Sequence, residues 1–285
     1  MSRIRPFADD ELAGFSDVHG PDRDAPRRSR TFVAEVDGVV VGAATALWSS
    51  RHPDLVAAMV DVAENHRRRG IGSALVHRLD VEADRPLVFN VERTPDSTAF
   101  LHAHGYSTVV TSVTARVSTA AALETLEELP GSVPNSIRIE PNDELATTVI
   151  DLYEQIYAER HRWAGSYSPP PDTPWINFAG PPLGATGTIQ VARADGNTIG
   201  VVSLHSGHFA DGADAFLAPT SILVGSLDER VATLARLVEA ALRAGLDAGI
   251  RHVNVEYDTP YDDLTALVES WTSDQRTVRD AWLRI

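Results

Sequence analysis

The sequence predicts an α/β fold, in which helices flank a twisted, mixed sheet that is mostly antiparallel, and it predicts this plan twice along the chain. Strand and helix patterns alternate from one end to the other. VAEVDGVVVG at 33–42 is repeated as VARADGNTIG at 191–200, and NVERTP at 90–95 returns as NVEYDTP at 254–260 with one insertion. An Asp-Gly pair between apolar runs is typical of a tight hairpin. The matches occur in the same order, which favours a duplication.

The elements of the first copy follow from apolar periodicity and from turn residues. The patterns predict strands at about 3–6, 31–37, 39–48, 54–63, 86–91 and 106–117, and helices at about 8–18, 70–84 and 96–104. In the second copy they predict helices at about 142–158, 228–247 and 261–270, and a strand TSILVG at 220–225.

The boundary between the copies lies in the segment TAAALETLEELPGSVPNS, residues 119–136. Its first part is typical of a short helix, and its Pro, Gly, Ser and Asn residues are typical of a linker. We therefore expect two tandem domains, an N-terminal one at 1–132 and a C-terminal one at 133–285.

Composition excludes several classes of function. The chain has no cysteine, and all 25 of its basic residues are arginine, which excludes thiolate chemistry and any mechanism that needs a lysine. A formal net charge of -15 disfavours non-specific nucleic-acid binding. The charge either attracts cationic substrates or only keeps the protein in solution. No apolar run is long enough to span a membrane, and the N-terminus lacks the apolar core of a signal peptide. We expect a cytoplasmic protein without nucleic-acid or membrane partners, either a monomer or a homodimer.

The most informative stretch is ENHRRRGIGSALVHRL, residues 64–79, where three arginines and two glycines lie between a strand and a helix. The first turn of a helix has N–H groups without intrahelical acceptors, and its dipole favours anions. Glycine allows a ligand to approach the backbone, and arginine adds charged donors. The pattern predicts a phosphate or diphosphate site. A dinucleotide fingerprint would need a third glycine where Leu75 stands, and a P-loop would need a lysine. A tight turn with solvated arginines remains the alternative.

VAENHRRRGIG, residues 62–72, resembles the Arg/Gln-x-x-Gly-x-Gly/Ala loop of the GNAT superfamily of N-acetyltransferases, with Arg67, Gly70 and Gly72 at its three fixed positions. The resemblance extends in element order over about residues 3–118. It implies that acetyl-CoA is the cofactor, with its diphosphate on the loop and its pantetheine arm beside the strand that ends at Val62. The residues it implies for cofactor binding are Val62, Arg67, Arg68, Arg69, Gly70, Ile71, Gly72, Ser73 and Asn90. It also assigns a strand N–H near Val62 to the acyl oxygen.

Acetyl transfer to an amine requires a base and a proton for the leaving thiolate. Asp61 and Glu92 are the candidate catalytic bases, since they end the two strands where the acyl group is expected; both could instead be solvated strand-end residues. Asn90, similarly, either orients the pantetheine amide or bonds to backbone. Family members commonly use a tyrosine as the acid, but Leu101 occupies that position here. We expect no metal site, because His102 and His104 lack an evident third ligand.

The second copy resembles a degenerate GNAT domain, because Ser226-Leu227-Asp228-Glu229 replaces the glycine loop and would repel a diphosphate. Two-domain GNAT proteins of the mycothiol synthase type have this architecture. The resemblance implies an acetyl-CoA-dependent N-acetyltransferase for a small-molecule amine, with the C-terminal domain as a scaffold. Two alternatives remain open: a non-catalytic acyl-CoA-binding or sensing protein, and a protein N-acetyltransferase.

Overall fold

The computed structural model describes residues 3–7, 29–129, 132–142, 147–168, 187–206, 213–259, 261–271 and 273–284. Its strands are β1 (Arg3–Pro6), β2 (Ser29–Val36), β3 (Val39–Trp48), β4 (Val56–Val62), β5 (Leu87–Glu92), β6 (Ser107–Ser118), β7 (Ile137–Pro141), β8 (Ile189–Ala194), β9 (Asn197–Ser206), β10 (Ala215–Pro219), β11 (His252–Asp258) and β12 (Ser273–Leu283). Its α-helices are α1 (Ile71–Glu82), α2 (Pro95–Ala103), α3 (Thr119–Glu128), α4 (Thr147–Arg160), α5 (Leu227–Asp247) and α6 (Asp262–Glu269).

The chain divides into two compact units. Unit 1 comprises Met1–Thr111, Arg162–Ser168 and Arg279–Ile285, and unit 2 comprises Ser112–His161 and Pro169–Val278. The predicted helix at 8–18 lies outside the described residues.

Unit 1 is a sheet in the order β1-β2-β3-β4-β5 followed by the end of β12. The strands pair antiparallel except β4 and β5, which are parallel. Leu75 and Leu79 of α1 are fully buried and pack in one apolar cluster with Val62, Phe89 and Trp282 from the sheet. The amphipathic face predicted for α1 therefore packs on the helix-covered face of this sheet.

Unit 2 repeats the plan with β6 from residue Ser112 onward, then β11, β10, β9, β8 and β7. β10 and β11 are its parallel pair. Buried residues of α3, α5 and α6 share one apolar cluster with the sheet, and Leu152 and Ile156 of α4 form another with β8 and β9.

The two predicted hairpins have the same detailed geometry. Asp37 and Gly38 both have positive φ, as do Asp195 and Gly196, which is the backbone of a two-residue turn of the primed type. The β2–β3 register shifts between Ala34 and Glu35, and the β8–β9 register shifts between Ala192 and Arg193, at the matching positions of the repeat. A bulge at the same place in both hairpins is not required by the Asp-Gly turn.

Each half of the sequence gives its last strand to the other half's sheet. Within unit 1, residues 279–283 of β12 pair antiparallel with residues 88–92 of β5. Within unit 2, residues 112–118 of β6 pair with residues 252–258 of β11. Local patterns predict both strands but do not specify their partners.

One predicted strand is wrong. The apolar run 220–225 follows β10 and is not a strand, since β10 ends at Pro219. The Thr220 hydroxyl accepts from the N–H of Val201 at 2.9 Å, and the Asp263 carboxylate accepts from the N–H of Ile222 at 2.7 Å. The side chains of Thr220 and Asp263 therefore accept hydrogen bonds from backbone N–H groups that could bond to a neighbouring strand if β10 were longer.

Candidate functional site

The junction of β4 and α1 has an open helix start. Arg68 and Gly70 have positive φ values of 61° and 79°, so the chain turns sharply before the helix. Gly70 is the N-cap and no side chain caps the helix there; the first intrahelical bond runs from the N–H of Ala74 to the Gly70 carbonyl at 3.0 Å. The N–H groups of Ile71, Gly72 and Ser73 have no acceptor within the helix. They form a positively polarised group of donors, as the sequence predicts.

The three arginines of the loop differ in their contacts. Nε of Arg67 donates to the Val62 carbonyl at 2.8 Å, and its guanidinium lies 3.6 Å from the Asp61 carboxylate. Arg67 thus links the loop to the end of β4. Arg68 and Arg69 are exposed beside the helix start, where charged donors favour an anion.

A gap opens between the parallel strands β4 and β5. Their register runs from Val56 opposite Leu87 to Ala58 opposite Phe89, although β4 continues to Val62 and β5 to Glu92. The outer parts of the two strands are therefore not paired with each other.

The backbone at this gap presents free hydrogen-bonding groups. The N–H of Val56 bonds to the Pro86 carbonyl on the β5 side, whereas the N–H of Ala63 bonds to the Val41 carbonyl on the β3 side. Since successive strand N–H groups point to opposite edges, those of Val60 and Val62 point into the gap. The resemblance implies a donor near Val62, and the N–H of Val60 has the same orientation.

The predicted polar residues lie on one face of this sheet. Alternate residues of β4 and β5 pack in the cluster with α1, namely Val56, Ala58, Val62, Leu87 and Phe89. Asp61, Asn90 and Glu92 are out of phase with them, so they lie on the opposite face. Asn90 and Glu92 are exposed, and Asp61 is partly buried. The predicted pair of carboxylates thus ends the two separated strands on the same side, with Arg67 beside one of them.

Helix α2 closes the other side of the loop and explains the departure at Leu101. Leu101 is 2% exposed and belongs to the apolar cluster of unit 1, so this position faces the core. Phe100 lies next to Gly72, where an added Cβ would come within 3.2 Å of the ring. Gly72 therefore also allows close packing of two helices, a role that the sequence did not indicate.

The end of β5 is held by contacts that span the sequence. Arg93 donates from Nε to Oδ2 of Asp280 at 2.7 Å and from a terminal nitrogen to Oδ1 at 2.6 Å. The Thr111 hydroxyl also donates to Oδ1 at 2.8 Å. Hydrogen bonding from Arg93 holds the pKa of the Asp280 carboxyl below its ordinary value. Asp280 follows Arg93 by 187 positions, so no sequence motif could reveal the group.

The corresponding region of unit 2 is filled by its own side chains. Ser226 caps α5 in a capping box with Glu229, whose carboxylate accepts from the N–H of Ser226 at 2.8 Å. That hydrogen bond lowers the pKa of Glu229. Asp263, which is fully buried, accepts from the Ser221 hydroxyl at 2.8 Å as well as from the N–H of Ile222. The N–H groups of Ser226 and Ile222 thus have side-chain acceptors, whereas the start of α1 has no side-chain cap.

The histidines singled out in the sequence have structural contacts. The His102 ring lies edge-on against Trp282 with centroids 4.9 Å apart, and the His104 ring donates from Nδ1 to the Phe100 carbonyl at 2.8 Å. Within the described parts of the chain, no group of three or more acidic or histidine residues is arranged to hold a metal ion. None of the described helices is long and apolar enough to cross a membrane.

Comparison with known proteins assigns the first of the two halves. Residues 27–108 match the family model described as acetyltransferase (GNAT) domain. No curated protein matches the sequence.

Solved structures share the fold along most of the chain. A tandem GNAT protein from the clavulanic acid biosynthesis pathway is 16% identical, with a TM-score of 0.56 over 100% of this chain and 99% of its own. A GCN5-related N-acetyltransferase from Sphaerobacter thermophilus is 14% identical, with a TM-score of 0.52 over 89% of this chain and 80% of its own. A probable N-acyltransferase from Enterococcus faecalis V583 is 13% identical, with a TM-score of 0.51 over 99% and 72%.

The predicted fold class, two tandem GNAT-like domains of mixed strands and helices, is confirmed. The segment 27–108, which matches the GNAT acetyltransferase domain model, contains the open helix start and the β4–β5 gap. This match supports the predicted activity class, N-acetyl transfer.

Proposed function

We propose that this chain, whose residues 27–108 form a GNAT acetyltransferase domain, transfers the acetyl group of acetyl-CoA to a primary amine of a small molecule. The N-terminal half, 1–132, would bind the cofactor and carry the chemistry, and the C-terminal half, 133–285, would act as a scaffold. The proposal rests on one observation. The uncapped start of α1 comes soon after the end of β4, and the residues of β4 beyond Ala58 are not paired with β5.

The residues present fit acetyl-CoA. A diphosphate matches the N–H groups of 71–73 and the exposed Arg68 and Arg69, which supply donors and positive charge. The amides of a pantetheine arm match the N–H groups of Val60 and Val62, which point into the gap, and the exposed amide of Asn90 across it. When bound, acetyl-CoA supplies the thioester carbon that the amine attacks.

The chain's own groups can then assist transfer in three ways. The N–H of Val60 or Val62 donates to the acyl oxygen as charge develops on it. Asp61 and Glu92 lie on the face opposite α1 and can accept the amine's proton, directly or through water. The guanidinium of Arg67 lies 3.6 Å from the carboxylate of Asp61. Leu101 is buried and has no acidic proton, so the leaving thiolate would have to take its proton from water or from another side chain.

The carboxylates proposed to face the acceptor favour a cationic small amine as the substrate. Two carboxylates at the strand ends and the chain's net charge of -15 both favour an ammonium substrate over an acidic one. A second candidate, a non-catalytic acyl-CoA-binding or sensing protein, is favoured by the absence of the family's tyrosine at Leu101. A protein N-acetyltransferase is the third.

A panel of small amines, with a basic peptide as the protein-type acceptor, tests the proposal. Incubation with acetyl-CoA should add one acetyl group to a small amine, detected by mass spectrometry, and should release free thiol in equal amount. Tight acetyl-CoA binding without thiol release across the panel would favour the sensing protein. Acetylation of the peptide alone would favour the protein N-acetyltransferase.

A further inference from the structure

The outer part of β5 depends on a single neighbouring strand. Residues 90–92 have no partner on β4, because that register ends at Phe89. On the other edge, Asn90, Val91 and Glu92 pair with residues 281, 280 and 279 of β12. One side of the gap is therefore held by the last strand of the chain.

The carboxylate of Asp280 stabilises the pairing of β12 with β5 near the C-terminal end of β5. Asp280 is 1% exposed and accepts three hydrogen bonds, two from Arg93 and one from Thr111. Arg93 is the first residue after β5, and two nitrogens of its guanidinium each bind one oxygen of the carboxylate. This bidentate geometry fixes orientation as well as distance. Two residues further on, Trp282 is buried in the apolar cluster of unit 1 and anchors the strand.

The same point is also fixed from α2. The Ser97 hydroxyl donates to the Glu92 carbonyl at 2.7 Å, and Thr94 and Ser97 form the capping box of that helix. Glu92 therefore lies between two restraints, the capping box on one side and the Arg93–Asp280 pair on the other. Loss of either would let the end of β5 move toward or away from β4.

We propose that Asp280 is a positioning residue, which acts through Arg93 and Thr111 to set the width of the β4–β5 gap and the place of Glu92. The inference rests on the proposed function, since the gap is the proposed seat of the pantetheine arm. It also gives the C-terminal half a defined role, because the final strand of that half completes the transferase site of the N-terminal half. Residue 280 touches no substrate itself.

Hydrogen exchange followed by mass spectrometry tests the positioning without any ligand. In Asp280→Asn we expect amides of the peptide covering 88–93 to exchange about tenfold faster, because local opening of the strand end then requires less free energy. Glu35→Gln is the matched control, since it breaks the Arg5–Glu35 ion pair on strands β1 and β2 of the same unit. That control should leave exchange at 88–93 unchanged.

Kinetics separate positioning from a general loss of folded protein. We expect Asp280→Asn to raise KM for acetyl-CoA by about tenfold with a smaller change in kcat, whereas partial unfolding would lower the apparent kcat alone. Arg93→Gln should have a similar effect, and the double variant should be no worse than either single one, because both remove one interaction. Thr111→Val removes the hydrogen bond from the Thr111 hydroxyl to Asp280 and the one that this hydroxyl accepts from Arg93, but it leaves both Arg93–Asp280 bonds. It should show a milder form of the effect, which keeps the test informative if Asp280→Asn does not fold.

Unchanged exchange at 88–93 in all three single variants would overturn the inference, whatever the reaction. Faster exchange with an unaltered KM for acetyl-CoA would also overturn it, because the gap would then not bind the cofactor. Failure of the wild-type protein to bind acetyl-CoA would instead reject the proposed function, a result that the exchange experiment cannot produce.

Discussion

Ser73→Glu should close the proposed cofactor site without harming the fold. Ser73 is exposed and is the third residue of α1 after its N-cap. Glu229 has the same position in α5, where its carboxylate accepts from the N–H of Ser226. The variant therefore gives α1 the kind of acidic first turn that α5 already has.

The expected loss of affinity follows from charge. A carboxylate about 6 Å from one phosphate charge is repelled by roughly 3 kcal/mol at an effective dielectric constant of 20, or about a hundredfold in Kd. The fold should be unharmed, because an acidic residue in the first turn stabilises a helix by about 0.3–1 kcal/mol.

Isothermal titration with acetyl-CoA measures this loss, and Ser73→Gln is the control that matches the side chain in size without the charge. We expect Ser73→Gln to bind within about fivefold of wild type, since a comparable amide carries no net charge. Thermal unfolding should show equal or higher stability for Ser73→Glu. If Ser73→Glu binds acetyl-CoA as tightly as Ser73→Gln, the diphosphate does not lie at this helix start. Ser73 is the better choice than Gly72, where any side chain would meet Phe100.

Three further predictions concern the rest of the molecule. Leu101→Ala should lower the free energy of unfolding by about 2–5 kcal/mol in urea titrations, because this side chain is buried in the core; a much smaller loss would contradict its assignment there. Burial raises the pKa of Tyr106 to about 12 and also raises that of Tyr153, so the folded state holds these protons more tightly. Stability should therefore be full below pH 10 and fall as the pH rises toward 12, and urea titrations should show a shallower fall for Tyr106→Phe. Asp54→Asn should speed amide exchange at residues 165–168, since the Asp54 carboxylate accepts from the N–H of Ser166 at 2.6 Å; unchanged exchange would show that other contacts hold that segment.

Short-range patterns predicted what depends on short-range physics. The Asp-Gly pairs at 37–38 and 195–196 predicted both hairpins, because only a few residue types tolerate positive φ at both turn positions. The glycine-arginine loop likewise predicted an open helix start, which Gly70 forms.

Contacts between residues that lie far apart in the sequence were not predictable in this way. The run 220–225 has the composition of a strand, but a carboxylate from α6, some forty residues later, takes one of its N–H groups. The exchange of the last strands depends on which edge each strand meets, and an edge accepts any strand of suitable register. Asp280 looked like an ordinary strand residue because its partners, Arg93 and Thr111, are far away in sequence.

The N-terminal ends of α1 and α5 differ in a way that bears directly on the proposed function. A serine N-cap stabilises a helix by about 0.5–2 kcal/mol relative to alanine and by a few tenths relative to glycine; α5 has Ser226 at this position and α1 has Gly70. The two halves share their hairpin, their bulge and their parallel strand pair, so the fold itself does not demand the difference. A half without a ligand is more stable when its own side chains satisfy the strand and helix ends, as Glu229 and Asp263 do. A half that binds a ligand must leave those groups to water until the ligand arrives. Glycine in place of a side-chain cap at residue 70 is therefore what we expect of a half that binds an anion, and it supports the proposal that the N-terminal half binds the cofactor.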